Sequence, residues 1–150
     1  MVCLGNICRS PMAAVVLDSL LADAGLSDRV EVTSAGTGGW HTGEPMDGRA
    51  AATLADAGYD PTAHRARQFD EGWFDRDLLL VMDAQNRSDV EELGGSPGQV
   101  RMFRSFDPAG GPDTEVPDPW YGGQAGFDDV LTMVERTNRV LVAELAQLLA

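Results

Sequence analysis

Lysine is absent from this chain, and cysteine and histidine each occur only twice. Two cysteines cannot supply the disulfide framework of a small secreted domain, which needs several spread along the sequence. They are also poorly spaced for zinc. Four residues separate Cys3 from Cys8, and His41 and His64 form no compact histidine pair. No metal and no cofactor is therefore expected. No apolar run approaches the ~20 residues that a membrane-spanning helix requires. No signal peptide precedes the first motif, so a cytoplasmic location is the expectation, with signal-independent secretion left open. Eleven arginines face 24 acidic residues, and the net charge is −13. Such a chain is repelled by nucleic acid and by anionic lipid, so neither is expected as a partner. A monomer is the default, and no repeat or low-complexity block breaks the sequence.

What is present suits one globular unit. The hydrophobic fraction is 43%, too high for a disordered chain, and 150 residues fill a single domain, 1–150, with one substantial core. Strand-like and helix-like patterns alternate, which predicts an α/β fold around a parallel sheet. Pro11 to about Ala24 reads as a first helix stopped by Gly25, and Val30–Ser34 as a second strand. Met46 to Ala57, closed by Gly58, reads as a second helix. Asp77–Met82 is the apolar run of a buried parallel strand, Gln85–Leu93 a helix, and Val100–Phe103 a fourth strand. Asp107–Gly126, rich in Pro, Gly and Asp, reads as a long loop. Phe127, Leu131, Val134, Leu141, Leu145 and Leu148 line one face of a closing helix. Four strands with crossover helices make a four-stranded, doubly wound sheet with helices on both faces. Ligands of such sheets bind beyond the strands' carboxyl ends, where Cys3, Ser34, Asp83 and the long loop should gather.

The most informative stretch is Cys3-Leu4-Gly5-Asn6-Ile7-Cys8-Arg9-Ser10. Pro11 follows, and proline is favoured in the first turn of a helix. The octapeptide therefore reads as a loop feeding a helix N-terminus. Such a loop turns backbone N–H groups inward, and the helix dipole adds partial positive charge, a setting that binds an oxyanion of phosphate size. The same setting favours the nucleophilic thiolate of a nearby cysteine. Arg9, six positions after Cys3, can grip two phosphoryl oxygens in a bidentate fork. A nucleophile, an anion cradle and a fixed cation together point to phosphoryl transfer to sulfur.

With Asp118-Pro119-Trp120-Tyr121-Gly122 near the C-terminus, this loop resembles the low-molecular-weight protein tyrosine phosphatases. Ser34-Ala35-Gly36-Thr37 and His64-Arg65-Ala66-Arg67-Gln68 lie between them in the order and spacing of that family. The resemblance implies a phosphotyrosine protein phosphatase working through a phosphocysteine on Cys3. Arg9 would bind the phosphate, and Leu4, Gly5, Asn6, Ile7, Cys8 and Ser10 would complete the phosphate-binding loop. It also implies that Asn6 shapes the loop through Ser10, Ser34 and His64, the last two as supports, and that Ser10 assists the sulfur. Two departures stand out. A strand of about five apolar residues precedes the nucleophile in the family, whereas here Met1 and Val2 do, so the first strand is expected to be truncated. Ala14 stands where the family usually carries glutamate, which should matter little.

Asp118 is one of several acidic residues in its loop; Pro119 and the aromatic pair behind it single it out. A carboxylic acid in a cleft near phosphate can protonate a leaving phenolate, then activate water against the thiophosphate. Trp120 and Tyr121 are expected to wall a slot for a flat ring, with Trp40 opposite. Cys8 reads equally as an inert core thiol and as a resolving thiol for oxidised Cys3. Asp83, Arg65 and Arg67 read as structural or solvent-facing. The alternatives are a thiol-coupled arsenate reductase, which would need a further cysteine beyond Cys8, a protein-arginine phosphatase, whose relatives carry a small polar residue at the position of Ile7, and a catalytically silent phosphate-binding module.

Overall fold

The computed structural model describes residues 1–150. Four short strands, β1 (Val2–Cys3), β2 (Ala35–Gly36), β3 (Leu79–Val81) and β4 (Val100–Met102), form one sheet in the order β2-β1-β3-β4. Every pairing is parallel, with Val2 opposite both Ala35 and Val81. Helices α1 (Arg9–Asp23), α2 (Gly48–Asp56), α3 (Ala84–Glu92) and α4 (Gln124–Leu148) make or flank the crossovers. The pleat sends alternate residues to two cores. Cys3, Leu80 and Met82 join the larger one beneath α1, α2 and α4, whereas Val2, Leu79 and Val81 join Val90 of α3, Phe69 and Met102 on the other face. The doubly wound α/β architecture is thus the one expected.

Local chemistry sets most helix ends. The carboxylate of Asp47 accepts from the Arg49 and Ala50 amides, so α2 starts after it and not at Met46. Asp83 and Asn86 form a reciprocal capping box, which starts α3 at Ala84. Gly25, Gly58 and Gly94 take positive φ just beyond α1, α2 and α3, the conformation that ends a helix most cheaply in glycine. Phe127, Val130, Leu131, Val134 and Leu141 give α4 its buried stripe, and Asn138 Nδ2 donates to the Ala13 carbonyl of α1.

Several expectations need correcting. Val30–Ser34 is not the second strand, which is Ala35–Gly36. A ladder needs a neighbour, and β1 offers only Met1 on that side. The Met1 ammonium donates to the Thr33 carbonyl and the Ala35 amide to the Met1 carbonyl, where the pairing stops. Beyond it lies an apolar groove of about 650 Å³ between residues 29–35 and 75–80, floored by Leu17 and the end of α4. This groove also explains why Leu148, expected in the buried stripe, is 79% exposed: no element seats on the last turn of α4. Strand β4 stops at Met102, because Phe103–Phe106 turns into a 3-10 helix that buries Phe103 and Phe106. The long loop is shorter than expected. It contains a 3-10 turn, Pro119–Tyr121, and α4 begins at Gln124. Asp107 anchors its start, fully buried against Arg104 and Arg136, whose hydrogen bonds hold its carboxyl well below the usual range despite burial. A further 3-10 turn, Glu71–Asp75, was not anticipated from the sequence.

Candidate active site

The segment between β1 and α1 closes a ring of backbone around the Cys3 sulfur. The Asn6 amide donates to Cys3 Sγ at 3.3 Å, and Ser10 Oγ lies 2.9 Å from the same sulfur. No side chain caps the first turn of α1, so its leading amides keep their donors for the loop. Asn6 holds the ring's shape with a left-handed φ of 57°. Its Nδ2 donates to Ser10 Oγ at 2.8 Å and to Ser34 Oγ at 2.9 Å, while its Oδ1 accepts from the Arg67 amide at 3.0 Å. His64 Nε2 donates to the Asn6 carbonyl at 2.7 Å, and burial lowers the pKa of this imidazole, which favours the neutral ring. Gly36 is required here for space: a Cβ would fall 2.7 Å from the Leu4 carbonyl oxygen, in a wall made of backbone. Ser34 precedes β2 and so does not sit at a strand's carboxyl end, but its hydroxyl still reaches Asn6.

Arg9 leaves the first turn of α1 and is 3% exposed. Its NH1 donates to Asp83 Oδ2 at 2.7 Å and to the Val116 carbonyl at 3.1 Å, and its NH2 is 3.7 Å from Asp118 Oδ2. Burial works against this charge, but Cys3, Asp83 and Asp118 outweigh it and raise the guanidinium's pKa. Asp118 caps the Pro119–Tyr121 turn through Oδ1, which accepts from the Trp120 amide at 3.0 Å, leaving Oδ2 toward Arg9.

Above this lies a cleft of about 230 Å³. Cys3, Cys8 and Arg9 lie at its base beside Gly5 and Ile7, and Leu4, Trp40, Asp118, Trp120 and Tyr121 stand around them. Across residues 1–149 the chain matches the family model described as low molecular weight phosphotyrosine protein phosphatase. The chain belongs to this family. It is 50% identical over 147 residues to a low molecular weight protein-tyrosine-phosphatase of Streptomyces coelicolor, covering 95% of this chain and 89% of that protein. Two solved structures show the same fold. The protein tyrosine phosphatase of Entamoeba histolytica superposes with a TM-score of 0.90 at 30% identity, over 97% of this chain and 94% of that one. YfkJ of Bacillus subtilis gives 0.89 at 32% identity, over 97% and 92%.

Of the residues the family resemblance singles out, all but Asn6, Ser10, Ser34 and His64 line the cleft, and these four sit one layer behind it. The aromatic rim is well exposed: Trp40 by 71%, Trp120 by 41% and Tyr121 by 91%. Trp40 folds over Gly38, where any Cβ would overlap its ring. Cys8 is buried, and burial together with nearby Asp47 pushes its thiol up to about 12. Arg65 and Arg67 are solvent-facing, as expected. Of three further site residues, His41 and Arg49 escape the sequence reading, whereas Asp83 is expected beside Cys3 at the strand ends but without its partner. Asp83 was read as structural or solvent-facing. It does cap α3, a role its spacing to Asn86 signals, but it also pairs with Arg9, 74 positions away. His41 lies 6.1 Å from the Trp120 ring and pairs with Glu44. Arg49 donates to the Trp120 carbonyl. No local pattern announces these last contacts. No helix is long and apolar enough to cross a membrane.

Proposed function

We propose that the protein hydrolyses phosphotyrosine in protein substrates through a phosphocysteine intermediate. The observation that carries this reading is the meeting of Cys3, Arg9 and Asp118 on one cleft with an aromatic rim. The phosphoryl group enters the ring of loop amides, and Arg9, already oriented by Asp83, takes two of its oxygens. The Cys3 thiolate attacks phosphorus in line. Asp118, protonated on Oδ2, donates to the leaving phenolate, and the resulting carboxylate then draws a proton from the water that cleaves the thiophosphate. Ser10 aids the sulfur as leaving group. Its oxygen already accepts from Asn6, so its own proton is free for Sγ. Every step belongs to a side chain or backbone amide, and none requires a metal.

The cleft's depth favours an aryl phosphate. The sulfur lies at the base and the aromatic rim above it, so a tyrosine ring spans the gap while the short stem of phosphoserine leaves the rim unused. Ile7 lines the cleft with apolar surface and offers no partner to the guanidinium of phosphoarginine. Peptides carrying phosphotyrosine, phosphoserine and phosphoarginine, assayed side by side, should show clear preference for the first. Cys3→Ser should abolish turnover yet keep inorganic phosphate binding. Residual turnover above about one per cent would contradict the nucleophile assignment, and equal cleavage of phosphoarginine would overturn the substrate class.

A further inference from the structure

Pro119 buries the start of the acid's turn, but Trp120 and Tyr121 are exposed and the Asp118 side chain is 37% exposed. The exposed part of the turn is held from α2. The Trp120 amide fixes Asp118 Oδ1, and the carbonyl of the same residue accepts from Arg49 NH1 at 3.1 Å. The Arg49 guanidinium lies over the Trp120 ring, 5.2 Å from its centroid, and over the Phe127 ring at 4.7 Å. Asp47 aims it by accepting from Nε and NH2, each at 3.3 Å. Asp47 is itself tied to the nucleophile loop, because its amide donates to the Ile7 carbonyl at 2.9 Å. A second strut runs from Gln124, just after the turn, to Thr53 Oγ1, which donates to the Arg49 carbonyl. The first turns of α2 therefore bridge the loop carrying the nucleophile and the turn carrying Asp118.

We propose that Arg49 is a positioning residue for the general acid, fixing Asp118 over the phosphate loop through the Trp120 peptide group. The proposal rests on Asp118 acting as the acid. A planar fork gripping a carbonyl and lying against two rings specifies an orientation that a lysine point charge does not. A small misplacement of a proton donor is costly only when the leaving group needs the proton. The Arg49 requirement should therefore follow leaving-group basicity.

The test compares kcat/KM for phenyl phosphate, a poor leaving group, and 2,4-dinitrophenyl phosphate, a good one. Arg49→Met and Arg49→Lys should lower the first about tenfold or more and the second less than about threefold. The inhibition constant of inorganic phosphate should stay within about twofold, which reports an intact fold and cradle. In the Asp118→Ala background, Arg49→Met should cost less than about twofold on phenyl phosphate, since no acid remains to be placed. Equal losses on both substrates, no loss on phenyl phosphate, weakened phosphate binding in both variants, or an undiminished effect without Asp118 would each overturn the proposal. A wild type that cleaves neither substrate would instead overturn the functional reading beneath it.

Discussion

Asn6 combines a left-handed backbone with five polar links, three from its carboxamide, one from its amide to Cys3 Sγ and one from His64 to its carbonyl. Alanine would leave two buried hydroxyls and the Arg67 amide short of partners, and would still have to hold positive φ. The hydrogen-bond loss alone should cost about 2–4 kcal/mol. Glycine loses the same bonds but accepts the backbone freely, so Asn6→Gly should be about 1 kcal/mol more stable than Asn6→Ala. Urea unfolding of the three proteins separates the two contributions. An alanine variant as stable as the glycine variant would mean that the left-handed turn relaxes at no cost. The sequence suggests the turn, since asparagine tolerates this region, and the resemblance names Ser10 and Ser34. The Arg67 amide, 61 residues away, is visible only once the chain is folded.

Helix α3 gives a similar pairing of local and distant roles. Asp83 caps it with one oxygen and holds the buried Arg9 charge with the other. Asp83→Ala removes both, and about 3 kcal/mol of stability should go with them. Asp83→Asn keeps an oxygen for the cap and should lose less. Equal shifts of the urea midpoint would show that the cap adds nothing beyond the ion pair. The elements themselves were legible wherever a residue acts on its own neighbours. Pro11, Gly25 and Gly58 mark helix boundaries within about two residues. Val30–Ser34 misled because alternation reports a chain's preference, whereas strand pairing depends on the neighbour available. Asp118 was found because Pro119 and two aromatics flank it. Arg49, 71 positions from Trp120, carries no such flag, for its importance lies in what folds against it.

At the scale of the molecule, the start of the interior strand β1 at Met1 should govern stability near neutral pH. Burial pushes its ammonium down from 8.0 to about 6. The unfolded chain binds that proton more readily than the folded one between these values, so stability should rise with pH from about 6 to 8, by about 2 kcal/mol at most. His64, lowered by burial, acts in the same direction at slightly lower pH. Adding four or five alternating apolar residues ahead of Met1 should convert the ammonium to an amide, extend the ladder along Val30–Thr33 and fill the adjoining groove. The melting temperature should then rise and lose much of its dependence on pH between 6 and 8. An unchanged slope would place its origin elsewhere. Since no lysine exists, no side chain of this protein carries a primary amine. Val32→Lys would therefore give an acylating reagent a single side-chain target beside the Thr33 segment. Its rate of labelling would count the openings of that segment, a chemical clock for motion next to the strand that carries the nucleophile.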